Sequence, residues 1–324
     1  MMKPRRNLFI SSRGSRINYF GGMSGAGLRP AKTRMIIVRL KGGLGNQMFQ
    51  YALGRALQHR RGDDLRLDAT YLLGDSVFKW DVPRAYDLDV FQIQPALAYI
   101  PRLLRRGGLS VSEAEAVPRS QAFVEEKEFG FHPEVLDLTA VNLYLDGYWQ
   151  SECYFAGIQD QIREEFQFRT PLSPAGRAMA QSIASVNSVC VNVRRGDYIT
   201  SESSRNALGF IGEDYYRRGV DWIKARVSDP HLFINSDDMP WCRERLRFDL
   251  PTTYLDERYA GWKFGEQLQL MTMCKHFLIP NSTFAWWAAW LAGHPGKLVA
   301  CPRRWFRNES INTKDLIPPG WARL

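Results

Sequence analysis

The run Met35-Ile36-Ile37-Val38-Arg39-Leu40, followed by Gly42-Gly43-Leu44-Gly45-Asn46-Gln47 and then by apolar residues at helical spacing, constrains this chain most. A short continuous apolar run reads as a strand buried on both faces, the kind that parallel sheets contain. The glycines permit a tight turn into a helix over 48–57, which closes on Arg60, Arg61 and Gly62, a basic last turn with a glycine stop. Leu65–Asp68 then reads as a second strand, and a strand–turn–helix–strand opening predicts an α/β fold with a parallel sheet. Further on, Leu143–Trp149 reads as a strand, and a helix with Ile158, Ile162 and Phe166 on one face follows it. The stretch 75–140 is less regular, with helix-like runs near Leu97–Leu104 and Glu113–Ala116.

The pattern restarts after Thr170-Pro171-Leu172-Ser173-Pro174, the best linker in the chain. Strands are expected at 189–194, 231–238, 276–279 and 298–301. Helices are expected at 215–226, 241–246, 266–275 and 282–291, the last capped by Asn281 or Ser282. Two successive α/β runs predict two Rossmann-like domains facing a cleft, 35–170 and 171–305, with 306–324 as a C-terminal tail.

Charge is confined rather than spread. The 324 residues include 43 Lys and Arg against 34 Asp and Glu, a net charge of +9. Lys3, Arg5, Arg6, Arg13, Arg16, Arg29, Lys32 and Arg34 all fall in residues 1–34, which hold no acid. Beyond them 35 basic residues face 34 acidic ones, so the body is nearly neutral. Such a body lacks the basic stripe that nucleic-acid binding needs. Residues 1–34 have a transit-peptide-like composition, but Met35 stands directly before the first strand. They are expected to be a disordered basic tail or the product of a misplaced start. The cysteines, Cys153, Cys190, Cys242, Cys274 and Cys301, have neither C-x-x-C nor metal-ligand spacing and read as reduced thiols. No stretch reaches the ~18–20 apolar residues of a spanning helix. The expectation is a cytoplasmic protein. Leu97–Leu109, with Arg102, Arg105 and Arg106, is either an ordinary surface helix or a peripheral contact with an anionic membrane face.

Several motifs fall where α/β sheets bind ligands. The Gly42–Met48 turn offers backbone N–H groups and a helix start to an anion or a sugar hydroxyl, yet it is neither a Walker loop nor a dinucleotide fingerprint. Val193-Arg194-Arg195-Gly196-Asp197 puts two arginines and an acid at a strand's carboxyl end, the usual ligand edge. Arginine makes planar, charge-assisted contacts to phosphate. Two adjacent arginines cannot both point into one crevice from an extended strand, so one is expected to bind an anion and the other, or Asp197, to orient it. Asp237 and Asp238 follow another apolar strand and could accept from ribose hydroxyls or a base. Asn281-Ser282-Thr283 offers hydroxyls and free N–H groups at a helix start. Trp286, Trp287 and Trp290 are expected to pack in the core.

Taken in order, these blocks resemble the α-1,2-fucosyltransferase family of inverting, GDP-fucose-dependent glycosyltransferases. The likeness rests on Gly42–Ala52, Asp146-Gly147-Tyr148-Trp149-Gln150-Ser151-Glu152, Val193–Tyr198, Ser236-Asp237-Asp238, and Cys274–Phe277 with Asn281–Trp287. The family's H-x-R-R-x-D signature is matched except at its first position, where Asn192 stands in place of histidine. Asparagine can donate and accept a hydrogen bond but cannot titrate, so Asn192 cannot be a general base.

The resemblance implies a GT-B-like fold with GDP-fucose held mainly by the C-terminal domain, and metal-independent transfer without a cofactor. It implies a galactose-containing acceptor, lipid-linked if the enzyme works at the membrane face. On that reading Arg194 or Arg195 and the Asn281–Thr283 helix start stabilise the diphosphate. Asp197 holds the arginines, Asn192, Asp237 and Asp238 serve the donor, and Gly43, Gly45, Asn46 and Gln47 line the cleft. Asp197 and Glu152 are the candidates for a base acting on the acceptor hydroxyl.

Overall fold

Apolar strands flanked by helices set the architecture. A computed structural model describes residues 34–72, 84–98 and 121–324. β1 (Met35–Arg39), β2 (Asp64–Asp68), β3 (Ala96–Leu97), β4 (Gln121–Glu125) and β5 (Asn142–Asp146) form one sheet in the order β3-β2-β1-β5-β4. Every neighbouring pair in it is parallel. β6 (Asn187–Val193), β7 (Pro230–Ser236), β8 (Thr252–Leu255), β9 (His276–Leu278), β10 (Val299–Cys301) and β11 (Ala322–Arg323) form a second, in the order β11-β10-β9-β6-β7-β8. It too is parallel throughout. Its first strand is central, with the next two on one side and the later three on the other, which is the Rossmann order. The α/β fold with two Rossmann-like sheets is as expected from the sequence.

The helices are α1 (Leu44–Arg61), α2 (Gln159–Glu165), α3 (Pro174–Ala184), α4 (Gly196–Thr200), α5 (Glu202–Ala207), α6 (Glu213–Lys224), α7 (Met239–Arg245), α8 (Gly265–Thr272) and α9 (Thr283–Leu291). α1 stops as its sequence indicates. Gly62 takes the left-handed conformation at φ 69°, its N–H reaches Gln58 O, and His59, Arg60 and Arg61 occupy the last turn. Ile158, Ile162 and Phe166 are all buried.

Two expectations change. Ala96–Leu97 is an edge strand beside β2 rather than the start of a helix. Residues 99–109 of the Leu97–Leu109 run, with Arg102, Arg105 and Arg106, and the Glu113–Ala116 run lie outside the described residues, as does the segment 1–33. Residues 306–324 are no trailing tail: Ala322 and Arg323 pair with β10, and Leu316 O accepts the Trp286 indole N–H at 2.8 Å.

The larger of two apolar clusters runs through both halves and includes α9, and a smaller one packs α6 and α7 on the second sheet. Trp286, Trp287 and Trp290 are buried, as expected. Phe49 of α1 lies 4.6 Å and 4.8 Å from the rings of Trp286 and Trp287, and Phe155 stacks on Trp287 at 5.5 Å. Each indole N–H finds a different partner: Leu316 O, Gly45 O at 2.9 Å and Glu152 Oε2 at 3.0 Å. Gly45 allows this helix-to-helix approach, because a Cβ there would stand 2.5 Å from Phe284 N and from Thr283 C. Those atoms are backbone and cannot swing aside. Gly45→Ala is therefore expected to lower stability by about 1–3 kcal/mol, read as a lower urea midpoint. An unchanged midpoint would show that the junction relaxes freely.

Candidate active site

Two strand ends in register supply the densest charge in the site. β6 ends at Val193, Arg194 and Arg195 follow, and α4 begins at Gly196. β7 runs beside it with Asn192 opposite Asn235 and Val193 opposite Ser236, so Asp237 and Asp238 emerge next to the arginines. Acids and bases pair one to one. Arg194 Nη1 lies 3.0 Å from Asp237 Oδ2, and Arg195 Nε donates to Asp238 Oδ2 at 3.0 Å. Asp237 also accepts the Arg195 backbone N–H at 2.8 Å, and Asp238 caps α7 through the Trp241 N–H at 3.2 Å. Gly196 makes room, since a Cβ there would come within 2.8 Å of Asp237 Oδ2.

The two arginines divide as the strand geometry requires. Arg195 lies 4.0 Å from the centre of the Trp241 ring with 13% of its side chain exposed, held between an aromatic face and a carboxylate. Arg194 keeps 32% exposure at the sheet edge and lies 5.7 Å from the Tyr198 ring. Asp237 and Asp238 thus hold the two arginines in place. The Asp197 backbone lies in the first turn of α4, and its side chain is outside the described structure. Asn192 is buried and donates to Asn235 Oδ1, while Asn235 donates to Cys190 Sγ at 3.3 Å. It is part of the sheet's polar interior.

The start of α9 differs from its expected capping. Ser282 occupies the cap position but makes no side-chain capping bond. Asn281 instead donates to Leu208 O and Trp305 O, both at 2.9 Å, and its own carbonyl accepts from Tyr198 Oη at 2.8 Å. Tyr198 thereby ties α4, and with it the arginine turn, to the start of α9. Thr283 Oγ1 donates to Asn46 Oδ1 at 3.0 Å, and Gln150 Nε2 donates to the same oxygen at 2.9 Å. Asn46 is thus the polar joint between the halves.

The rest of the glycine turn serves structure. Gly42 adopts φ +78°, and Gly43 precedes the first turn of α1. Gln47 does not line a cleft: it is fully buried, donates to Gly42 O and Ala85 O at 3.0 Å and 2.8 Å, and accepts from Asp87 N at 2.9 Å. Glu152 is not brought to the arginines either. It accepts from Trp290 at the far end of α9, seven residues and about 10 Å of helix from Thr283.

The structure adds a cluster that sequence reasoning did not assign. At the carboxyl edge of the first sheet Asp146 binds Arg39 at 2.7 Å and Lys41 at 2.9 Å, and Lys41 lies 4.7 Å from the centre of the Tyr148 ring. Glu126 Oε2 accepts the N–H groups of Tyr148 at 2.6 Å and Trp149 at 3.1 Å. Trp149 sits at φ 55°, a left-handed conformation that costs a bulky residue about 1–3 kcal/mol. Gly147 has no space for a side chain, as a Cβ would meet Glu126 Cβ at 2.6 Å. Burial pushes the Glu126 carboxyl up, against the two N–H donors, Lys41 and His132. Asp146 and Tyr148 stood within a block already quoted for resemblance, whereas Glu126 lies in the irregular stretch that offers no periodic signal. Among the described residues, no group of three or more His, Cys, Asp or Glu side chains is placed to hold a metal ion, and no helix is long and apolar enough to cross a membrane.

A family model described as glycosyl transferase family 11 matches residues 123–324. An alpha-1,2-colitosyltransferase of Escherichia coli is 27% identical over 299 residues, covering 90% of this chain and 99% of that protein. The O-antigen biosynthesis glycosyltransferase WbnK of Escherichia coli is 28% identical over 305 residues, covering 88% and 99%. Galactoside alpha-(1,2)-fucosyltransferase 1 of Pan troglodytes is 29% identical over 267 residues, covering 78% and 64%.

The Asp146 cluster has a pH signature. Burial raises this carboxyl, but Lys41 and Arg39 outweigh it and hold it below the ordinary value. A carboxyl lowered in the folded state contributes stability that is present above the ordinary carboxylate range and lost as pH falls through the lowered value. Asp146→Asn is expected to be less stable than wild type at neutral pH and to converge with it in acid, measured by urea denaturation across pH. Parallel curves would show that the pairs contribute nothing.

Proposed function

The chain belongs to glycosyl transferase family 11, and from that membership we propose that it moves L-fucose from GDP-β-L-fucose to the 2-hydroxyl of a galactoside with inversion. The observation that carries this reading is the pairing of Arg194 with Asp237 and of Arg195 with Asp238 at the carboxyl edge of the second sheet. As the bond between the sugar and GDP breaks, positive character builds on the sugar and negative charge on the β-phosphate. A cation already fixed where that charge appears stabilises the transition state without reorganising. On this reading Arg194 makes the phosphate contact, while Arg195, locked under Trp241, sets the turn that aims it. The α9 start lies nearby through the Tyr198–Asn281 bond, and Asp237 is the group from which the phosphate takes a share of Arg194. The arginines neutralise the leaving group in this scheme, so it invokes no metal.

The 2-linkage is supported by the printed names of two relatives, and the galactoside by one of them. Surface-glycan or lipopolysaccharide assembly is supported by the O-antigen relative, and a lipid-linked acceptor with peripheral membrane contact belongs to the same proposal. A second reading, transfer of colitose in place of fucose, is favoured by the relative that covers 90% of the chain.

The test is incubation with GDP-fucose or GDP-colitose and a panel of galactose-terminated oligosaccharides, with linkage analysis of the product. A 2-linked fucoside is expected. Arg194→Ala is expected to cut turnover about 10²–10³-fold, the usual effect of losing one transition-state charge contact, with the circular dichroism spectrum unchanged. A different linkage, or near-normal turnover in the variant, would refute the corresponding part.

A further inference from the structure

Transfer needs an acceptor subsite and a base as well as the arginine turn, and Glu152 Oε2 is already held by the Trp290 indole N–H at the far end of α9. Along the carboxyl edge of the first sheet one turn has the chemistry for both. Gly147-Tyr148-Trp149 is built around the Glu126 carboxylate: it gives up a side chain at Gly147, bends Trp149 to φ 55° and directs two N–H groups at one oxygen. Both N–H groups reach Oε2, and only the Trp149 N–H also approaches Oε1, at 3.2 Å, so lone pairs remain for a hydroxyl. Tyr148, 37% exposed, offers a ring beside this carboxylate, and such rings stack on the C–H faces of pyranoses. Gln150, the next residue along, is buried, and its Oε1 has no partner among the described residues. It is an acceptor in want of a donor such as a sugar hydroxyl. Its Nε2 meanwhile holds Asn46, which also takes the Thr283 hydroxyl from the donor half. The loop that carries Glu126 also meets the C-terminal segment: Phe129 packs on Phe306 at 4.9 Å, and Phe131 N donates to Asp315 at 3.1 Å.

Resting on the fucosyl- or colitosyl-transfer reading above, we propose that the Glu126–Tyr148–Gln150 edge binds the acceptor pyranose and that Glu126 takes the proton of the attacking hydroxyl. The acceptor oxygen bonds to the sugar's anomeric carbon as the bond to the β-phosphate oxygen breaks. The electron pair of that bond leaves with GDP, the hydroxyl proton moves to the Glu126 carboxylate, and it passes to water after product leaves. The groups facing Glu126 are Lys41 from the turn before α1, His132 from its own loop, Tyr154 from the segment after β5, and the Tyr148 and Trp149 N–H groups.

Glu126→Gln separates this role from turn-building, because a glutamine oxygen in place of Oε2 can accept both N–H groups. With GDP-fucose and a galactoside, kcat is expected to fall about 10²–10⁴-fold, the usual span for loss of a general base. GDP affinity by calorimetry should stay within twofold. The wild type should lose activity as pH falls through a carboxyl raised by burial, and the variant should lack that limb. Glu126→Asp, which keeps a base, is expected to recover part of kcat and restore the limb. Wild-type kcat in Glu126→Gln, or an unchanged acid limb, would overturn the assignment. If Glu126→Gln fails to fold, Glu126→Asp with near-wild-type kcat and a shifted limb supports it, and a limb that does not move overturns it. A donor-independent measurement covers the subsite: saturation-transfer NMR with methyl β-galactoside should show contact with wild type and a several-fold weaker one with Tyr148→Ala. Equal signals would sink the subsite whichever donor is used, whereas galactoside binding without transfer from either GDP-sugar would count against the transfer reading alone.

Discussion

The close contact of Gly45 with the first turn of α9 is the constraint on which the rest depends. It sets two Rossmann-like sheets at a distance that a methyl group would enlarge, and three further contacts rely on it. The Trp287 indole reaches Gly45 O, Asn46 joins Thr283 to Gln150, and Phe49 enters the tryptophan cluster. Buried indole N–H groups need partners, so α9 is fixed lengthwise as well as sideways. The helix whose start lies next to the arginine turn is therefore also the main brace of the molecule.

Electrostatics in the site follow one rule, that charge is paired before any ligand arrives. Arg194 and Arg195 face Asp237 and Asp238, and Arg39 and Lys41 face Asp146. Pairing of partly buried charge limits the cost of desolvation and fixes direction, so an incoming group meets oriented dipoles and cations rather than mobile ones. Asn192 fits this scheme. A neutral amide buried against Asn235 brings no titration to the floor of the sheet, whereas an imidazole there would carry a charge that depends on pH.

Much of the frame was legible in the sequence because parallel strands are apolar throughout. β1, β6, β7 and β9, and helices α1, α6 and α9, fall within a few residues of where periodicity puts them. β3, β8 and β11 lie at or next to sheet edges, are two to four residues long, and have no pattern to detect. Among site residues, the arginine pair and its strand-end acids were visible as a motif. Their one-to-one pairing was not, because it depends on the register of β6 against β7. Gln47 misled because a polar residue within a functional block can serve packing, and sequence does not show which way it points. Glu126 was invisible because its role comes from a backbone turn more than twenty residues later.

The three anchored indoles of α9 also bear on how a substrate could enter. Swinging the halves apart would pull Trp287 off Gly45, Thr283 off Asn46 and Trp290 off Glu152, while only Trp286 stayed tied, to Leu316. Orphaning even one buried donor costs about 1–3 kcal/mol, and these bonds would have to break inside a cluster of stacked rings. A hinge at this seam is therefore stiff, because opening it breaks hydrogen bonds, ring packing and a backbone close contact together.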